Sequence, residues 1–143
     1  MPLLDEAPPT SVARTLGRLA AGGVLVLAGI THLTVARRAF RAQVPDWVPI
    51  DPDATVLLSG VAEIALGSAL VGLPTRRVPV GWAAAAFFTA IFPGNVSQFV
   101  HGRDAFGLDT DAKRLARLPL QAVLVAGVLW ATGAWRDRPR RSR

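Results

Sequence analysis

Five side chains bearing a carboxyl, a carboxamide or an imidazole stand inside otherwise apolar stretches of this 143-residue chain: His32, Glu63, Asn95, Gln98 and Gln121. A carboxyl and an imidazole are the usual pair for passing a proton near neutral pH, so Glu63 is the natural donor or acceptor and His32 its partner. The carboxamides of Asn95, Gln98 and Gln121 are suited to holding a ligand carbonyl. Together these groups describe a pocket for a flat apolar molecule with polar oxygens, such as a quinone. The sequence has no cofactor motif, no Gly-rich phosphate loop and no cysteine. Thiolate metal sites, iron–sulfur clusters, disulfides and thiol exchange are therefore excluded. With His32 and His101 as the two histidines, neither a multi-histidine metal site nor a bis-histidine haem is expected.

The elements that carry these residues are long and apolar. The chain is 51% hydrophobic and 18% charged, against about 25% charged in an average soluble chain. Four spans are expected over 19–35, 54–73, 80–100 and 118–134. The second, Ala54 to Leu73, holds a single formal charge, Glu63. Twenty apolar residues make a helix of about 30 Å, the thickness of a bilayer core. A carboxylate at that depth costs roughly 2.5–3.5 kcal/mol on insertion scales, so the bundle must offer Glu63 a partner. At 1.5 Å per residue, His32, Asn95 and Gln121 fall at about 20 Å from one face and Glu63 at about 15 Å. Four helices thus place polar groups at a similar depth, with Gln98 one turn beyond Asn95. Ser59, Gly60 and Gly67 share the face of Glu63, and small residues let helix backbones approach closely.

The fold class is all-α: a four-transmembrane-helix antiparallel bundle. Residues 1–14 read as a polar lead-in and 136–143 as a basic tail. The first span also has the charge-then-apolar order of a signal peptide, but His32 inside it and Arg37-Arg38 after it speak for a retained helix. In the 36–53 connection a short basic surface helix is expected up to Gln43. Trp47 between prolines reads as an interfacial anchor, and Asp51 or Asp53 as the cap of the second span. Pro93 and Gly94 predict a kink or local unwinding of the third span. Pro119 is expected in the first turn of the fourth. His101 is expected to be solvated at the interface, and the arginines before Pro119 to meet lipid phosphates or cap the loop.

Arg14, Arg18, Arg76, Arg77 and the tail arginines would share a side with both termini. Arg37, Arg38, Arg41, Arg103, Lys113, Arg114 and Arg117 would face the other side. The balance of basic residues puts both termini in the cytoplasm. The tail suits anionic lipid heads, and no nucleic-acid partner is expected.

Five segments, in order, resemble the DoxX-like family of small four-helix membrane proteins. They are Gly29-Ile30-Thr31-His32, Val44-Pro45-Asp46-Trp47-Val48-Pro49, Ser59-Gly60-Val61-Ala62-Glu63-Ile64 with Gly67, Phe92-Pro93-Gly94-Asn95-Val96, and Arg117-Leu118-Pro119-Leu120-Gln121. The resemblance covers about residues 19–134. It implies a multi-pass protein of the bacterial plasma (inner) membrane with a link to membrane redox or quinone chemistry.

Three readings of function follow. The first is an accessory or small-apolar-ligand binding component, with quinone as the candidate ligand and a membrane redox subunit or a second copy as partner. The second is a stand-alone enzyme in which Glu63 and His32 move protons on a lipid-like substrate. The third is a structural or assembly subunit in which the carboxamides only join helices, as such groups commonly do.

Overall fold

The computed structural model describes residues 7–137. Residues 1–6 of the lead-in and the tail from 138 onward lie outside the described residues. Ala7 and Pro8 are tied to the turn after the second span: Ala7 N–H donates to the Thr75 carbonyl (2.8 Å) and Arg77 to that of Pro8 (2.6 Å).

Among the described residues five α-helices form: α1 Val12–Leu33, α2 Arg37–Arg41, α3 Pro52–Gly72, α4 Arg77–Val100 and α5 Asp111–Thr132. A 3-10 turn, Pro74–Arg76, joins α3 to α4. Four of the five are long and apolar enough to cross a membrane, which makes this a multi-pass integral membrane protein folded as an all-α four-helix bundle. No strand occurs among the described residues, only an isolated bridge between Ala105 and Leu108.

Local chemistry sets the ends, and it moves several of them from the expected positions. Ser11 caps α1 by accepting from Arg14 N–H, so the helix starts well before residue 19. Asp51 is the cap of α3, accepting from Ala54 N–H (3.1 Å), while Asp53 is taken by Arg37 and Arg41 of α2. Thr110 caps α5, so that helix begins at Asp111 and not near Leu118. Pro119 is consequently inside α5, beyond its first turn, a correction that follows from a loop cap no apolar window reveals. Gly133 ends α5 in the left-handed conformation (φ 65°), as a C′ glycine does.

Of the kink or local unwinding expected at Pro93, the unwinding does not occur: α4 runs unbroken through Pro93 and Gly94. Membrane helices tolerate proline where neighbours serve the loosened backbone. Here Gln121 of α5 donates to the Phe88 carbonyl, in the turn that Pro93 loosens. Gly94 serves close approach, since a Cβ there would lie 2.5 Å from the Gln43 carbonyl oxygen.

The bundle is two tight antiparallel pairs, α1 with α3 and α4 with α5. Glycines set the first pair. A Cβ on Gly29 would lie 2.6 Å from the Gly60 carbonyl oxygen, and one on Gly67 2.6 Å from that of Gly22. At the end of the bundle that carries the termini, a core of Leu25, Leu70, Ala84, Ala85, Phe88 and Val128 closes the space between the pairs. Arginines finish this termini end by donating to the last helix carbonyls: Arg18 to Leu70 and Val71, Arg14 to Trp130, Arg77 to Thr132. Arg77 also pairs with Asp137 (2.7 Å). Bonding from Arg136, then from Arg77, holds the Asp137 carboxyl below its ordinary pKa. Leu16, Leu27, Leu58, Val61 and Leu120 point outward, as lipid-facing side chains do.

Candidate functional site

The core leaves part of the space between the helix pairs unfilled. A cavity of about 760 Å³ lies between the two helix pairs. Apolar side chains of α1, α3, α4 and α5 make most of its wall, and His32, Glu63, Asn95, Gln121, Gln43 and Arg117 supply its polar points. Its volume is that of a typical small-molecule site.

The glycine contacts position the first polar pair. Gly29 against Gly60 brings α1 and α3 together one turn from both His32 and Glu63. Helical side chains lean toward their own N-terminus. In antiparallel helices these two therefore lean toward each other. His32 Nδ1 lies 2.9 Å from Glu63 Oε2 and also 2.9 Å from the Ala28 carbonyl oxygen. An imidazole nitrogen carries at most one proton, and only the Ala28 direction has hydrogen-bond geometry. Glu63 Oε2 is thus buried beside an imidazole and lacks a hydrogen-bond partner. His32 and Glu63 are 8% and 5% exposed, so water does not readily serve that oxygen. An orphaned buried carboxyl oxygen is costly, and this one belongs to a side chain in the cavity wall.

The second pair joins α4 to α5. Asn95 Nδ2 donates to Gln121 Oε1 (3.1 Å), and Gln121 Nε2 donates to the Phe88 carbonyl. Both residues line the cavity and both are buried. Gln98 is also buried, but it is absent from the cavity wall. Its Nε2 donates to the Arg103 carbonyl (3.1 Å), so it holds the loop that follows α4. The sequence set these residues at one depth in a single polar pocket. The geometry is two pairs on opposite walls, with Gln98 outside. His101 is exposed, with Nδ1 3.0 Å from the Ser97 carbonyl oxygen.

Four further residues join the site: Arg117, expected from the sequence at lipid phosphates or capping the loop, and Phe40, Phe106 and Gln43, which the sequence does not single out. Phe40 of α2 stacks on the His32 ring (centroids 3.3 Å apart, 15°). Phe106 packs against Phe40 at 4.7 Å, and the Arg117 guanidinium lies over Phe106 at 5.3 Å. The Gln43 amide oxygen faces Arg117 at 2.6 Å; the reverse orientation would set donor against donor. A continuous row, Glu63–His32–Phe40–Phe106–Arg117, therefore closes the loop end of the cavity. Phe106 reaches it from a tight turn with φ 55°, a left-handed conformation that a phenylalanine rarely adopts. Of the four, Arg117 carried a readable signal, standing four residues before Gln121 and so on the same helix face.

Around this site the loops are knitted by ion pairs. Arg37 and Arg41 hold Asp53, Arg103 holds Asp46 (2.7 Å), and Arg114 holds Asp104 (2.7 Å) and Asp111 (2.9 Å). The bond to Asp53 raises the pKa of Arg37.

A family model described as a domain of unknown function (DUF8561) matches residues 21–132. The match takes in most of the bundle and the whole polar row. The chain belongs to the DUF8561 family. Comparison with curated proteins and with solved structures finds no match. For this DUF8561 chain the chemistry has to be read from the cavity itself: a carboxyl–imidazole pair on one wall, a satisfied carboxamide pair on the other, apolar surface between, and a guanidinium at one end.

Proposed function

We propose that this membrane protein takes a small apolar molecule bearing a polar oxygen from the bilayer into its cavity, as a binding or accessory component of membrane redox processes. A quinone is the class that suits the groups best: a flat ring between apolar walls, with one oxygen at the Glu63–His32 pair. The observation that carries the reading is Glu63, a cavity-lining carboxyl beside His32 whose buried Oε2 has no hydrogen-bond partner. A protonated Glu63 would donate to a ligand carbonyl, and His32, 2.9 Å away, would return the proton. Electrons for any reduction would come from a partner subunit, because the chain carries no cysteine and no cofactor motif. The resemblance to DoxX-like proteins supports the same reading. It also supports a bacterial plasma membrane location, with both termini on the cytoplasmic side.

The 2.9 Å approach of the His32 imidazole to the Glu63 carboxyl favours a second reading. A carboxyl and an imidazole side by side suit an enzyme that moves protons on a lipid-like substrate.

The test is native mass spectrometry of gently extracted protein, with chromatography of its lipid extract. A quinone should accompany the wild type and be lost in Glu63→Gln at an unchanged melting temperature. Equal retention by Glu63→Gln would sink the role of the carboxyl. Lipid turnover that stops in Glu63→Gln, with no quinone bound, would favour the enzyme.

A further inference from the structure

We infer that Arg117 is the recognition point for the anionic headgroup of a chain-bearing amphiphile, a carboxylate or a phosphate, whose apolar part occupies the cavity. This rests on the cavity being a ligand site; it does not rest on the ligand being a quinone.

The argument starts from charge accounting at the loop end. Arg37, Arg103 and Arg114 are partly or fully buried, and each holds at least one aspartate. Arg117 is partly buried as well, and it has no acidic partner among the described residues. Its neighbours are the ring of Phe106 and the amide oxygen of Gln43, both neutral. Withdrawing a guanidinium from water without an anion is costly. Its five N–H donors form a fork that matches a carboxylate or phosphate, and Gln43 engages only part of it.

Place in the fold supplies the rest. Arg117 lines the cavity, whose wall is mostly apolar and runs from this end down to Gly17 and Trp130. A cation at one end of a long apolar space is the pattern of a site for an amphiphile. The rings of Phe106 and Phe40 stand between Arg117 and the His32–Glu63 pair, so a bound anion is set apart from the carboxyl. Exposed Arg38, on the same end, is absent from the cavity wall and serves as the internal control.

The test is equilibrium binding to the purified full-length protein in a neutral detergent at pH 8. The probes are oleate, dioleoyl phosphatidylglycerol and, as the neutral analogue, oleyl alcohol. Oleate or the phospholipid is expected to bind the wild type at least about tenfold more tightly than the alcohol, and less so at high salt. Arg117→Gln should remove that preference, and Arg38→Gln should keep it. Preference for oleate alone identifies a free carboxylate as the head; preference for the phospholipid alone identifies a membrane lipid. Oleyl alcohol binding as tightly as both anions overturns the inference, as does a preference that survives in Arg117→Gln. If that variant does not fold, the wild-type comparison of the three probes decides alone. Quinone retention that ignores Glu63→Gln, together with an Arg117-dependent anion preference, would remove the quinone reading and leave this one standing.

Discussion

At the scale of single residues, the two polar pairs differ in how completely they are satisfied. Asn95 and Gln121 bond to each other and to the Phe88 carbonyl, across a helix boundary and out of water. Removing one partner leaves the other's polar atoms buried and unserved, which costs about 1–3 kcal/mol. Asn95→Leu should therefore lower the melting temperature clearly. Adding Gln121→Leu should cost less than the two single changes combined, because both ends of the bond are then gone. A double-mutant cycle measured by thermal unfolding in detergent checks this; strict additivity would mean that the pair does not hold α4 to α5. Glu63 is the opposite case. Its Oε2 has no bond to lose. A change to the isosteric Gln is thus expected to act on ligand binding far more than on folding. That contrast separates a packing group from a working one more cleanly than burial does, since all four residues are buried to a similar degree.

At the scale of elements, the site is a product of how closely α1 and α3 approach. On Gly29 a Cβ would meet the backbone oxygen of Gly60 at 2.6 Å, and backbone cannot step aside. Gly29→Ala is expected to cost about 1–3 kcal/mol, to part His32 from Glu63 and to weaken ligand binding. Gly23, on the same helix, has nothing within 4 Å of the Cβ position, so Gly23→Ala should be neutral or stabilising by up to about 1 kcal/mol. Chemical denaturation of the two variants side by side tests the assignment. This contact was legible in the sequence, because Gly60, Glu63 and Gly67 recur at helical spacing and the depths of His32 and Glu63 are fixed by residue rise alone. The ends of α1 and α5 were not legible from hydropathy, because Ser11 and Thr110 extend both helices through polar residues beyond the apolar windows. The course of α4 at Pro93 was not legible either, since a side chain on α5 and the close approach of the Gln43 backbone shape the surroundings there. Arg117 was legible as a headgroup or loop-capping arginine but not as a cavity residue, for a related reason. Its lack of an acid is visible only once the loop has given Asp104 and Asp111 to Arg114.

At the scale of the whole molecule, two tight helix pairs meet firmly at one end and stand apart at the other. Near the termini α1 meets α5 directly, with Gly17 against Trp130 and Ala131, and Arg14 both over the Trp130 ring and bonded to its carbonyl. Farther along the same two helices, Val24 (62% exposed) and Val123 (64%) line the cavity and yet remain open to the outside. The cavity therefore opens sideways between α1 and α5, at a depth where the surroundings are lipid. Trp47 offers a second route at the loop end, since it is exposed and also lines the cavity. The two routes predict different kinetics. Val24→Phe combined with Leu124→Phe should narrow the side opening and slow uptake of a short-chain quinone about fivefold, about 1 kcal/mol in the barrier. The affinity should move little, because both side chains are exposed at the opening and neither belongs to a polar pair. Trp47→Ala should leave the rate unchanged if molecules arrive from the bilayer. Stopped-flow quenching of the remaining tryptophans measures both variants. Faster uptake in Trp47→Ala, with no effect of the paired phenylalanines, would instead place the entrance at the loop end and make the α1–α5 opening a wall closed by lipid.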